Sequence, residues 1–75
     1  MSLDELLKTW EMYHTCNCKG GKRKYYRKEA FKGYEIRINE RRGTFQILLN
    51  NSMIAGPDWI YKLEPKMKEL SLLNS

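Results

Sequence analysis

The sequence predicts an α+β fold with two layers: a three- to four-stranded antiparallel meander, and an N-terminal and a C-terminal helix packed on one of its faces. Three observations predict it. Two central segments alternate apolar and polar residues, apolar residues near both ends recur at helical spacing, and short polar loops separate the segments. The 75 residues are expected to form a single small domain, residues 1–75, with a core too small to enclose a deep substrate cavity.

The N-terminal segment predicts an amphipathic helix from Leu3 to about His14. Ser2 and Glu5 have the spacing of a capping box, and the apolar side chains that follow recur every three or four residues. This stripe consists of Leu3, Leu6, Leu7, Trp10, Tyr13 and His14. The glycine pair beyond it predicts that residues 15–21 form a loop.

The central segments predict a hairpin with one apolar face. Six apolar residues occupy alternate positions on its two strands: Tyr34, Ile36, Ile38, Phe45, Ile47 and Leu49. A four-residue loop, residues 40–43, pairs Asn39 with Thr44 and places all six on the same side of the sheet. We therefore expect Ile36 opposite Ile47.

The end of the sheet is predicted from turn residues. Asn50 and Asn51 favour a two-residue turn, because asparagine tolerates positive φ. A short fourth strand, residues 52–55, would place Met53 beside Leu48 and Ile54 beside Ile47. Residues 56–58, Gly-Pro-Asp, are then expected to end the sheet.

The C-terminal segment predicts two short helices rather than one. Apolar residues recur at helical spacing from Trp59 to Leu70, but Pro65 interrupts the pattern. We expect a first helix from Asp58 and a second with Pro65 at its first position. Residues 72–75 are expected to fray.

Residues 22–29 predict an edge strand, because lysine and arginine occupy both of its faces and neither face suits a core. A four-residue loop, residues 30–33, would pair Lys28 with Glu35 and Tyr26 with Arg37. The outer face would then expose Lys24, Tyr26, Lys28 and Arg37.

The distribution of charge suggests a partner. The net charge is +5, and the segment from Lys19 to Arg42 holds ten basic and three acidic residues. Basic residues contact phosphates, and aromatic rings between them stack on unpaired bases. We therefore expect a non-enzymatic module that contacts RNA or DNA through this segment and the hairpin tip. The candidate residues are Lys22, Arg23, Lys24, Tyr26, Arg27, Lys28, Arg37, Arg41 and Arg42.

The alternative is a protein-interaction or homodimeric structural module with no nucleic-acid role. Leu48 and Met53 are expected on the outer face of the sheet and Met12 on the far side of the first helix. Trp59 could anchor an interface, although it also suits the edge of the core. A domain with so thin a core often gains stability by dimerising.

A metal site is the weaker alternative. His14, Cys16 and Cys18 offer the side chains that zinc prefers, but a closed site needs four ligands and the chain has no further histidine or cysteine. His14 could instead cap the helix end, and the cysteines could be small semi-buried residues. The sequence therefore favours no cofactor, and no third residue completes a Cys–His catalytic pair.

The sequence also predicts the compartment. No apolar run approaches the roughly 18 residues that span a bilayer, and the N-terminus lacks the pattern of a signal peptide. We expect a cytoplasmic protein without membrane contact. Reduced thiols follow from that location, so no disulfide is expected.

Overall fold

The fold is an open five-stranded antiparallel meander in the order β1-β2-β3-β4-β5, seen in a computed structural model that describes residues 2–18 and 21–73, Cys18 by its backbone alone. The strands are β1 (Glu11–Cys18), β2 (Gly21–Arg27), β3 (Tyr34–Asn39), β4 (Thr44–Leu49) and β5 (Ser52–Trp59). Helix α1 (Leu3–Leu6) precedes the sheet, and helix α2 (Leu63–Glu69) follows it. The predicted fold class is therefore confirmed in outline, with five strands in place of three or four.

The N-terminal helix is much shorter than predicted. Ser2 caps it as expected, with its Oγ 3.3 Å from the amide of Glu5, but α1 ends at Leu6 and β1 begins at Glu11. The prediction of a helix to His14 and of a loop from Thr15 is therefore wrong. Tyr13 and Thr15 favour strands, and pairing with β2 satisfies backbone groups that a longer helix would have withdrawn from the sheet.

The β3–β4 hairpin has the predicted register. Asn39 pairs with Thr44, Ile36 with Ile47, and Tyr34 with Leu49. Ile36 and Ile47 are fully buried, which places the core on this face of the sheet. We call it the inner face.

The inner face packs against residues from both ends of the chain. The buried cluster comprises Leu6, Leu7, Trp10, Ile36, Ile38, Phe45, Ile47, Ala55, Leu63, Met67 and Leu72. Leu72 is only 1% exposed, so the prediction that the chain frays from this residue is wrong. Residues 74 and 75 lie outside the described part of the chain.

Strand β5 continues past its predicted end. Asn50 and Asn51 form the predicted turn with positive φ, and Met53 pairs with Leu48 as expected. Irregular pairing near Ile47 then brings Ala55, rather than Ile54, opposite that residue. The strand runs on through a cis Gly56–Pro57 bond to Trp59, so the prediction that these residues end the sheet is wrong.

The C-terminal segment contains two short helical pieces, as predicted, but the first begins two residues later than expected, at Ile60, and the second two residues earlier, at Leu63. A 3₁₀ turn (Ile60–Lys62) leads directly into α2. Pro65 is the third residue of α2, not the first. Its missing N–H costs no hydrogen bond there, because the first-turn amides have no partner within the helix.

Candidate nucleic-acid interface

Strand β2 lies between β1 and β3 and is not the predicted edge strand. A six-residue connection, residues 28–33, replaces the predicted four-residue loop and contains a 3₁₀ turn (Glu29–Phe31). Arg27 therefore pairs with Glu35, Tyr26 with Ile36, and Tyr25 with Arg37. The predicted pairs Lys28–Glu35 and Tyr26–Arg37 are wrong by one residue, and this shift exchanges the two faces of β2.

The predicted basic residues of β2 are divided between the two faces. Lys22, Lys24 and Tyr26 have the same orientation as Ile36 and Ile38, and Tyr26 packs against the core. Arg23, Tyr25 and Arg27 lie on the opposite face with Arg37. We call that side the outer face, and none of the buried core cluster belongs to it. The predicted outer set of Lys24, Tyr26 and Lys28 is therefore wrong, whereas Arg37 is placed as predicted.

Tyr25 is at the centre of the outer face. The Arg37 guanidinium lies 4.7 Å from the centre of its ring, and the rings of His14 and Tyr13 meet it edge-on at 5.0 and 6.3 Å. Arg27 lies 4.8 Å from the ring centre of Tyr13. Cross-strand pairing thus assembles an aromatic and arginine surface on β1, β2 and β3.

Carboxylates neutralise part of this surface. Glu35 accepts hydrogen bonds from Arg37 and from the hydroxyl of Tyr13, and Glu11 pairs with Arg27 at 3.2 Å. Burial, together with the hydrogen bond to Glu35, raises the pKa of Tyr13 to about 12. The phenol therefore keeps its proton at neutral pH and remains a donor to Glu35.

The inner-face cations have partners of their own. Lys24 forms an ion pair with Glu40, which raises the pKa of Lys24 and lowers that of Glu40. Lys28 lies beyond β2, where its Nζ donates to the hydroxyl of Thr9 at 2.8 Å and lies 5.5 Å from the ring centre of Phe31. Neither lysine contributes to the outer face.

The remaining predicted cations gather where β2 begins and the β3–β4 turn closes. We call Lys22, Arg23, Arg41 and Arg42 the basic end. The amide of Glu40 donates to the carbonyl of Lys22 at 3.3 Å, and the side chain of Arg41 lies against Gly21. Among the described residues, no carboxylate lies within ion-pair distance of Arg23 or Arg42. Arg23 and Arg42 therefore keep their positive charge.

Sequence reasoning missed Tyr13, Tyr25 and Glu35 as members of this surface. Tyr25 directly precedes the predicted contact residue Tyr26, and only the strand register distinguishes the two. The helix predicted from Leu3 to about His14 includes Tyr13, although the strand propensity of residues 13–15 indicates a strand there. The sequence suggests a metal ligand, a helix cap or one half of a Cys–His pair at His14, and this residue lies instead in the middle of β1 beside Tyr25.

The cysteines differ from prediction. Cys16 is disulfide-bonded, so the expectation of reduced thiols without a disulfide is wrong. A sulfur in a disulfide is not a thiolate and cannot bind zinc as one. Among the described side chains, no group of three or more His, Cys, Asp or Glu residues is arranged to hold a metal ion. The side chain of Cys18 lies outside the described part of the chain.

Two findings concern membrane-spanning helices and similarity to known proteins. None of the helices in residues 2–18 and 21–73 is long and apolar enough to cross a membrane. Among protein-family models, curated proteins and solved structures, this chain has no match.

Proposed function

We propose that the protein is a non-enzymatic module that binds single-stranded nucleic acid, with bases on the outer face of β1–β3 and phosphates at the basic end. The observation that carries the proposal is the position of Tyr25 in the middle of the outer face, on the same strand face as Arg23. Rings give stacking surfaces that accept any base, and cations near them hold the backbone.

The arginines of the outer face can stack on bases as well as contribute positive charge. A guanidinium is planar, and unpaired bases stack on arginine planes as they do on aromatic rings. Arg37 and Arg27 already lie against Tyr25 and Tyr13. Their charges are offset by Glu35 and Glu11, so we assign phosphate binding to the basic end.

The two regions are continuous along β2. Arg23, Tyr25 and Arg27 alternate along one face of the strand, and four residues of strand span about 13 Å. At about 3.4 Å for each stacked nucleotide, that distance corresponds to about four nucleotides. The site therefore suits a short single strand rather than a long duplex.

A charge-matched pair of triple variants tests the proposal. Arg23→Gln with Arg41→Gln and Arg42→Gln removes three charges from the basic end. Lys62→Gln with Lys66→Gln and Lys68→Gln removes three charges from the C-terminal segment. Binding of a labelled ten-nucleotide oligothymidylate is followed by fluorescence anisotropy over a series of salt concentrations.

We expect the arginine triple variant to reduce the slope of log K against log salt by about 2, at roughly 0.7 for each phosphate contact in a single strand. The lysine triple variant should change it much less. Tyr25→Ala should weaken binding by about 1–3 kcal/mol, the contribution of one stacked base. Equal losses in both triple variants, or binding that salt leaves unchanged, would contradict the proposal.

A second candidate function rests on a different surface. Strand β5 is an edge of the sheet, and apolar side chains on it and just after it are exposed: Met53, Ile54, Trp59 at 53% and Tyr61 at 75%. An exposed edge strand can pair with a strand of another chain. Light scattering over a concentration range tests for a homodimer, and a strict monomer that captures no partner would count against this function.

The absence of a zinc cofactor and the cytoplasmic location remain predictions. Elemental analysis of protein purified without chelator tests the first, with His14→Ala as the matched variant. The disulfide at Cys16 is more typical of an oxidising compartment than of the cytoplasm. Thiol alkylation in intact cells, followed by mass spectrometry, would show whether the thiols are reduced as a cytoplasmic location requires.

A further inference from the structure

A groove of about 590 Å³ opens at the end of the sheet opposite the basic end. It lies between the ends of β1 and β2, the 28–33 connection and the Asn50–Asn51 turn. Its volume is in the range of about 300–1,000 Å³ that small-ligand sites occupy. Three aromatic residues line it: Tyr13, Phe31 and Tyr34.

The charges that line the groove balance. Three cations and three carboxylates contribute: Arg27, Lys28, Lys32, Glu11, Glu29 and Glu35. Arg27 pairs with Glu11, and Lys32 pairs with Glu29 at 3.7 Å. A phosphate therefore gains little here. A neutral planar group with both donors and acceptors on its edge fits these rings and alternating charges best.

We propose that the groove receives one unpaired nucleobase of the bound strand, an inference that rests on the proposed function. Tyr13, Arg27 and Glu35 belong both to the outer face and to the groove, so the two sites are contiguous. A strand held by phosphate at Arg23 and stacked at Tyr25 reaches the groove beyond Arg27. The Glu29 carboxylate accepts from the base edge, and the Lys32 ammonium donates to it.

The groove is connected to a fluorescent side chain. Phe31 stacks on Trp10 with ring centres 5.9 Å apart and planes inclined by 21°. Trp10 is nearly buried, whereas the second tryptophan, Trp59, lies on β5 outside the groove. Replacing Trp59 with phenylalanine leaves Trp10 as the reporter of groove occupancy.

The test uses a six-nucleotide oligothymidylate and a set of the same oligomers with one abasic position each. Affinity is measured by anisotropy, and Trp10 fluorescence is measured in the Trp59→Phe protein. Amide spectra by NMR follow Gly33, Asn50 and Asn51 in the groove and Arg23 and Tyr25 on the outer face. We expect the intact oligomer to shift both sets of amides and to change the fluorescence of Trp10.

In one oligomer of the set, the abasic position replaces the base that enters the groove. That oligomer should no longer shift the amides of Gly33, Asn50 and Asn51 or change the fluorescence of Trp10, while the shifts of the Arg23 and Tyr25 amides persist. Glu29→Gln with Lys32→Gln should weaken binding about tenfold, as expected for lost hydrogen bonds to charged groups. Lys66→Gln with Glu69→Gln is the matched control, because it removes another exposed i,i+3 ion pair at the same net charge. That control should bind as the unmodified protein does.

The outcomes separate the two proposals. Shifts at Arg23 and Tyr25 without shifts at Gly33, Asn50 and Asn51 would overturn the groove inference and leave the outer-face site standing. Equal affinity for all abasic oligomers would do the same. Absence of any binding would overturn both.

Discussion

Strand β5 approaches β4 closely at Gly56. We therefore expect the backbone of β4 to decide how much a side chain at Gly56 lowers the free energy of unfolding. Gly56 and Gly43 both have positive φ, at 89° and 67°. A Cβ built on Gly56 would collide with the carbonyl oxygen of Phe45 and lie 3.2 Å from the Cα of Gln46, whereas one built on Gly43 has no atom within 4 Å. Both sites have positive φ, and only Gly56 also lacks room for a Cβ.

We therefore expect Gly43→Ala to cost about 1 kcal/mol, since positive φ costs an L-residue about 1–2 kcal/mol and the stiffer unfolded chain offsets part of that. Gly56→Ala should cost about 2 kcal/mol more, in the range for overpacking against atoms that cannot move freely. For a chain of this size the total free energy of unfolding is about 4–11 kcal/mol, so both variants should fold.

Urea unfolding followed by circular dichroism measures the difference. With a slope of about 1–2 kcal/mol per molar urea, the midpoint of Gly56→Ala should lie roughly 1–2 M below that of Gly43→Ala. Equal midpoints would refute the reasoning, because β5 could not then approach Phe45 as described.

Two further predictions concern the chain end and the outer face. Leu72→Ala should destabilise the protein by about 2–5 kcal/mol in the same urea assay, because the side chain of Leu72 is buried. Tyr61→Ala should change the stability little, because Tyr61 is exposed, and equal effects of the two variants would contradict the placement of Leu72. The pKa of Tyr13 is raised to about 12 from an unfolded value of about 10, so its stabilisation is complete below pH 10 and is lost as pH rises from 10 to 12. Tyr13→Phe should make stability less dependent on pH across that window, and an unchanged pH dependence would contradict the raised pKa of Tyr13.

The β3–β4 hairpin was predictable because two independent signals agreed. The alternation of apolar residues and the loop ending at Gly43 specify the same register, so Ile36 had to face Ile47. The Asn50–Asn51 turn was predictable for a similar local reason. In both cases the information lies within the 16 residues from Tyr34 to Leu49 or directly after them.

The N-terminal segment was predicted wrongly where local signals conflicted. Leu3, Leu6, Leu7 and Trp10 have helical spacing and face the core, and Tyr13 and His14 extend that spacing by coincidence. Pairing with β2 decides the conformation beyond Trp10. That contact is not local, and a pattern of period 3.6 within one segment cannot report it.

The amphipathic hairpin, its turn and the positive charge of the central segment follow from the order of the residues alone. Which side of β2 faces solvent depends on contacts between distant parts of the chain. Neither face of that strand is apolar, and each face carries one tyrosine. Burial of apolar residues within β2 therefore does not select a register. The six-residue connection and the packing of Tyr26 against the core select one register, and Tyr25 with its three neighbouring arginines lies on the outer face as a result.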